Sequence, residues 1–212
     1  RRLLNKLVKE NLERCKVAIY DVDFSLCRKL IDTVFNYGLN GIEKEFQEEL
    51  YFYRCLMYAV SDEKDMCSDC QDFLSQNLSS QIQCGLLDDC GNLQSTEMFS
   101  FRPEEQVCIL NRFFSEGEFS TIIKWYEERN VAKIEEVECA WIYFYSLSLF
   151  NTGKYDKAAC AIKMLTHETN KPYHQLLMEV FEIHSLRQKF FDKNIISELK
   201  EKFYAIKRIL EN

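Results

Sequence analysis

The 212-residue chain holds 6 glycines and 2 prolines, where average usage would supply roughly 15 and 11, so the turn residues of a β-sandwich or barrel are missing. Hydrophobic residues at 47% and charged residues at 29% suffice for a buried core and exclude a disordered chain. A net charge of −7, with no basic run longer than two residues, argues against nucleic acid and against an anionic membrane surface as partners.

Taken in chain order, the apolar spacing predicts helices throughout. Leu4, Leu7, Val8 and Leu12 predict a helix over Leu3 to Ala18. After the turn Asp21-Val22-Asp23, Leu26, Leu30, Ile31 and Val34 predict a second over Phe24 to Tyr37. Phe46 to Val60 and Lys64 to Gln76 repeat the arrangement around Ser61-Asp62-Glu63. Residues 78–101 are rich in Ser, Gln, Asn and Gly and have no periodicity, which predicts a loop insertion, mobile or bound to a partner. Pro103 then opens a helix to Phe114, with Glu104 and Glu105 placed to complement the dipole of its first turn. A turn at Gly117 leads into Thr121 to Arg129. The aromatic run Glu138 to Phe150 is followed by a turn at Gly153 and a helix opened by Asp156. Tyr173 to Arg187 and Ile195 to Leu210 form a last pair, the second carrying the charged face (Lys200, Glu201, Lys202, Lys207, Arg208) expected of a capping helix.

No stretch of 18 apolar residues occurs, since Ser146 and Ser148 interrupt the longest candidate, so direct membrane insertion is not expected. Position 1 is Arg rather than Met, so the chain is expected to be a fragment or a processed form, with room for a targeting segment upstream.

The aromatic helix, Gly153-Lys154-Tyr155 and the helix containing Ala158 resemble a tetratricopeptide repeat. That repeat has a small residue within its first helix, Gly-x-Tyr at its turn and Ala early in its second helix. Ser146, Gly153, Tyr155 and Ala158 occupy those places, whereas the terminal Pro of the pattern falls two residues late, as Pro172. A weaker copy turns at Gly117, and the two glycines stand 36 residues apart (153 − 117), close to the family period of about 34. Its small positions are filled by Leu110 and Ile122. Aligning the earlier turns on Gly153 puts Cys15 and Cys55 at the small sites of the first helices, and Cys27 and Cys67 at those of the second. A compact, readily buried thiol suits the close approach of two helices. The resemblance implies an all-α, right-handed array of about five antiparallel helix pairs spanning residues 1–212 as one domain.

The ten cysteines are not dense enough for a small disulfide scaffold, and their packing explanation favours a reducing compartment, cytoplasmic or nuclear. Cys67, Cys70, Cys84 and Cys90 give C-x2-C-x13-C-x5-C, in which the first pair has zinc-ligand spacing and the second is stretched. Incidental thiols with Cys67 in the core are preferred to zinc or a disulfide, and no cofactor is expected. His167, His174 and His184 form no nucleophile or His-Glu-x-x-His motif, and His184 lies on an apolar stripe. Adjacent glutamates such as Glu104 and Glu105 diverge on a helix, so paired acid–base chemistry and an enzymatic role are not expected.

In tetratricopeptide arrays the groove is lined by first-helix positions, which the resemblance carries to Phe52, Leu56 and Ala59, to Val107, Asn111 and Phe114, and to Tyr143, Leu147 and Phe150. Two readings stand side by side: core residues of a tight superhelix, or an apolar groove that takes a helix from a partner or from a second copy. The function implied is a non-enzymatic protein–protein scaffold. More narrowly, the chain resembles the self-dimerising subunits of large assemblies such as the anaphase-promoting ubiquitin ligase of the cell cycle. The alternatives are an organelle-surface adaptor tethered by a segment outside the chain, and an enzyme or zinc protein using the cysteines.

Overall fold

A computed structural model of the chain describes residues 2–61, 63, 70, 98–129, 136–169, 171–188 and 193–210. Helices account for nearly all of the described residues, and no strand occurs among them. They are α1 (Arg2–Tyr20), α2 (Phe24–Tyr37), α3 (Lys44–Val60), α4 (Pro103–Ser115), α5 (Phe119–Glu128), α6 (Glu136–Asn151), α7 (Tyr155–Thr169), α8 (Pro172–Gln188) and α9 (Lys193–Leu210). Among the described residues no helix is long and apolar enough to cross a membrane. The helix expected over Lys64 to Gln76 and the loop expected over 78–101 lie largely outside the described residues. Met98, assigned to that loop, is fully buried.

The chain divides into two compact units, residues 1–112 and 113–212. In the first, α1 packs on α2 and on α3, and α2 packs on α3. Val8, Leu12, Cys15, Ala18 and Ile19 form the buried stripe of α1, and Cys27, Leu30, Ile31 and Val34 that of α2. Asn5 ties α1 to the start of α3: its side chain accepts from the Glu43 backbone N–H (3.1 Å) and donates to the Glu43 carboxylate (2.6 Å). That exchange satisfies an end-of-helix N–H that would otherwise lack an acceptor.

In the second unit, successive helices from α5 to α9 pack on one another. At its centre is α6, which is apolar around its whole circumference and is gripped by α5 and α7. Trp141, Ile142, Phe144 and Leu149 are buried, as are Ile162 and Leu165 of α7 and Phe181 of α8. Burying side chains of this size contributes about 1.5–3 kcal/mol each before the cost of ordering them. Lys202 of α9 bridges Glu179 (3.1 Å) and Glu182 of α8.

The hairpin turns share one closure. After α4, the Glu118 N–H donates to the Phe113 carbonyl (2.9 Å) and the Gly117 N–H to the Phe114 carbonyl (3.1 Å). After α6, Lys154 and Gly153 donate to Leu149 (2.8 Å) and Phe150 (3.0 Å) in the same way. This is the Schellman end, whose turning residue must take a positive φ, and φ is 83° at Gly117 and 77° at Gly153. After α1 the identical pair of bonds runs from Asp23 to Ala18 (2.8 Å) and from Val22 to Ile19 (2.9 Å), but here the residue with positive φ (59°) is Val22. After α3, the Glu63 N–H reaches the Tyr58 carbonyl (2.8 Å), the longer of the two bonds. The Asp23 carboxylate then caps α2 by accepting from the Leu26 N–H (3.0 Å).

A β-branched residue in the left-handed region is strained, and glycine there is not. Val22→Gly is therefore expected to stabilise the chain by about 0.5–1 kcal/mol, the relief exceeding the entropy that glycine adds to the unfolded state. Gly153→Val is expected to cost about 1–3 kcal/mol. A Cβ at Gly153 would meet nothing within 4 Å, so backbone strain alone would carry that cost. Urea denaturation midpoints should shift in opposite directions; a shared direction would contradict the common turn geometry.

Candidate functional site

The positions expected to line a groove fall into two groups. Phe52, Leu56 and Val107 are fully buried and offer no surface to a partner, because the surrounding chain already covers that face of α3 and α4. Asn111, Phe114, Tyr143, Leu147 and Phe150 are half-buried, and Ala59 is likewise intermediate. Two of the aromatic ones are covered by α8. The Phe150 ring stacks on Phe181 (4.5 Å between centroids) and takes His184 edge-on (4.9 Å), while Tyr143 lies beside Tyr173 (6.3 Å) and His174 (6.1 Å). On the aromatic helix, the expected groove positions Tyr143 and Phe150 are thus covered by α8, two helices further along the chain.

The repeat-packing positions are deep. Cys15, Cys27, Cys55, Ser146 and Ala158 are all buried, while Gly153 and Tyr155 are intermediate at the turn. The Cys15 thiol lies 3.9 Å from the Cys27 carbonyl, where α1 and α2 approach, and Ser146 returns its hydroxyl to the Tyr143 carbonyl (2.9 Å). Hydrogen bonding with Cys15, then burial, then the nearby Cys15 and Cys108 sulfurs push the Cys27 thiol far up, so it stays neutral. A nucleophilic cysteine needs the opposite setting, electropositive and partly exposed. Of the four cysteines with zinc-like spacing, Cys70 is buried, and Cys67, Cys84 and Cys90 lie outside the described residues. Among the described residues no cluster of three or more His, Cys, Asp or Glu side chains could hold a metal.

One grouping has the residue types of a hydrolytic triad: Ser185, His184 and Asp156. The Ser185 hydroxyl donates directly to the Asp156 carboxylate. His184 instead turns its ring to Phe150 and Tyr155. Consecutive residues of a helix point about 100° apart, which separates His184 from its neighbour, so the imidazole is not set to take the serine proton.

The most concentrated buried electrostatics sits at the start of α4. Glu104 is nearly inaccessible and accepts from the Tyr20 hydroxyl (3.2 Å) and the Tyr53 hydroxyl (3.4 Å), with the Arg102 Nε at 3.8 Å. Arg102 forms a two-pronged bond to Glu49 (3.0 and 3.1 Å) and lays its guanidinium over the Phe52 ring at 4.1 Å. Glu105 reaches back to the Arg102 backbone N–H (3.1 Å), the reciprocal half of a capping box. The two adjacent glutamates diverge as expected, but both are buried, where simple dipole complementarity would leave them in water. Together these bonds lock α1, α3 and α4 into one polar knot. Both tyrosines donate to the same Glu104 oxygen, Oε1, so the contacts that hold this carboxylate in place are structural ones between helices.

Burial pushes the Tyr53 phenol far above its ordinary range; Glu104 and Glu49 push the same way, and Arg102 opposes them. Burial likewise raises Tyr126 and Tyr143, and takes Tyr145, helped by Glu127, to about 12. A phenol raised in the fold keeps its proton while its unfolded counterpart loses it near pH 10, so the contribution is whole below about pH 10 and is lost as pH rises beyond. Alkaline titration followed by phenolate absorbance should show these tyrosines ionising together with loss of helix. Ionisation of all the tyrosines near pH 10, with helix retained, would overturn the packing around Tyr53.

The remaining prominent surface features are apolar. On α1, Leu3, Leu7 and Val17 are exposed opposite the buried stripe, and on α9, Phe203, Tyr204 and Leu210 are exposed. The spacing groups Leu7 with Val8 and Leu12, but a helix with apolar residues on two faces does not say which one is covered, and Leu7 stands on the exposed one. In comparison with known proteins, the chain matches no family model, no curated protein and no solved structure.

Proposed function

We propose that the chain is a non-enzymatic helical-repeat scaffold of the tetratricopeptide kind, an array of about five antiparallel pairs that holds other proteins through surface contacts. The observation that carries this reading is the recurrence of one turn closure at Val22, Gly117 and Gly153, with its longer bond also present at Glu63. Chains built from one repeated supersecondary unit bury a continuous core between neighbours and display extended surfaces to partners. The chemically suggestive groups support it further. Glu104, Cys27 and Ser185 are each engaged in structural bonds, whereas large apolar side chains stand in water on several helices, three of them on α1 and three on α9. Membership of a multi-subunit assembly, of which a cell-cycle ubiquitin ligase is one example, is the narrower form carried by the sequence resemblance.

The test compares the protein, captured from cells that express it, with a variant carrying Phe203→Ser and Leu210→Ser. Polypeptides in stoichiometric amount with wild type and depleted with the variant are the expected result. Wild type recovered alone, or the same set with both forms, would overturn the assignment of the α9 face.

A further inference from the structure

The exposed face of α1 carries more than stray leucines. Leu3, Leu7, Glu10, Arg14 and Val17 recur at spacings of four, three, four and three residues, the heptad rhythm of a coiled-coil seam. All five are exposed: Leu3 is 71% accessible, and Leu7 and Val17 are each 51% accessible. The buried stripe of Val8, Leu12, Cys15 and Ile19 lies on the opposite side. So α1 has one seam used within its unit and a second, narrower seam presented outward.

We infer that this outward seam pairs with the α1 of a second copy of the chain, antiparallel, about a two-fold axis that crosses the seam level with position 12. The charges select both the partner and the direction. In an antiparallel helix pair, the residues facing each other have sequence numbers with a constant sum. Setting Glu10 against Arg14 of the other copy fixes that sum at 24, and the same sum places Leu7 against Val17 (7 + 17). The two-fold axis repeats each pair, giving two apolar layers outside two ion-pair layers, with Leu3 facing Asp21 at each end. A parallel, in-register pair would instead stack Glu10 on Glu10 and Arg14 on Arg14, which like-charge repulsion disfavours. The seam is therefore self-complementary in one orientation only.

The same features set the strength. Exposed ion pairs give direction more than affinity, and Lys6 already competes for Glu10 from one turn away (3.8 Å). Glu13 stands beside the axis and meets its own copy there, a like-charge contact at the rim. The pairing is accordingly a weak, salt-sensitive homodimer suited to joining two scaffolds. It deepens the scaffold reading by naming one partner, and it is tested separately, since a scaffold can bind other proteins through α9 while remaining monomeric.

Sedimentation equilibrium up to about 500 µM, a range suited to a small interface, tests it directly. Wild type should show a monomer–dimer equilibrium that weakens with salt. Glu10→Arg alone and Arg14→Glu alone should each lose dimerisation at least tenfold, because each sets like charges against one another. The double variant Glu10→Arg with Arg14→Glu should dimerise again, since every ion pair is restored with its sign reversed. Both sites are exposed, so helical content and melting should stay near wild type, and Leu7→Ser provides a second, uncharged disruption. A wild type that stays monomeric throughout, single variants that dimerise normally, or a double variant that stays monomeric would each overturn the proposal.

Discussion

Replacing Glu138 with alanine is expected to destabilise the second unit by about 3–5 kcal/mol, the largest effect of any single polar substitution in it. Glu138 begins the apolar run of α6 and is 3% accessible. Its carboxylate faces the Arg129 guanidinium at 2.7 Å, and Arg129 itself lies over the Trp141 ring at 4.6 Å. Both charges are withdrawn from water, so their attraction and the ring contact must offset a desolvation cost of several kcal/mol per ion. Removing the carboxylate leaves that cost on Arg129 without the ion pair that offset it. For a unit of this size the melting temperature should fall by about 4–8 °C for each kcal/mol. The informative control is Arg129→Met combined with Glu138→Leu, which removes both charges and keeps the volume. That pair should recover most of the loss, as apolar replacements of buried ion pairs often do. A Glu138→Ala melt within a degree or two of wild type would show that the pair is solvated.

Why this pair escaped the sequence, while much of the fold did not, is a matter of range. Helix starts and stops are local, and the Pro103 start, the Gly117 and Gly153 turns and the start of α2 at Phe24 all fall where the sequence puts them. Even the turn without glycine was legible as Asp21-Val22-Asp23, although nothing in those three residues says that valine takes the left-handed conformation. Glu138 carried a signal too, since a carboxylate between Val137 and Cys139 in an apolar helix needs a partner when buried. Which cation supplies it depends on how the chain returns between α5 and α6, and no periodicity encodes that. Glu104 shows the same limit. Its place in a first helical turn was correct, but burial beneath Tyr20 and Tyr53 depends on pairings 84 and 51 residues apart.

The first-helix aromatic stripe shows the opposite failure, a pattern visible in the sequence and left open in meaning. Phe52 and Tyr143 sit where a repeat frame would point inward, and inward means either a groove or a core, depending on how closely a later helix packs against that face. In the second unit α8 follows closely, so Phe150 is pressed between Phe181, His184 and Tyr155. Phe150→Asp is therefore expected to unfold the second unit rather than to yield a folded protein that has lost a partner. Truncating a packed phenylalanine costs about 3–5 kcal/mol, and a carboxylate in the same apolar place adds its own desolvation penalty. Against the 5–15 kcal/mol that holds a typical domain, the sum leaves little or nothing. Phe150→Leu keeps most of the apolar volume and should lose only about 1 kcal/mol. Circular dichroism melts of the two variants separate the cases. If Phe150→Asp melts like wild type, α8 does not cover that face, and the residue belongs to an open groove after all.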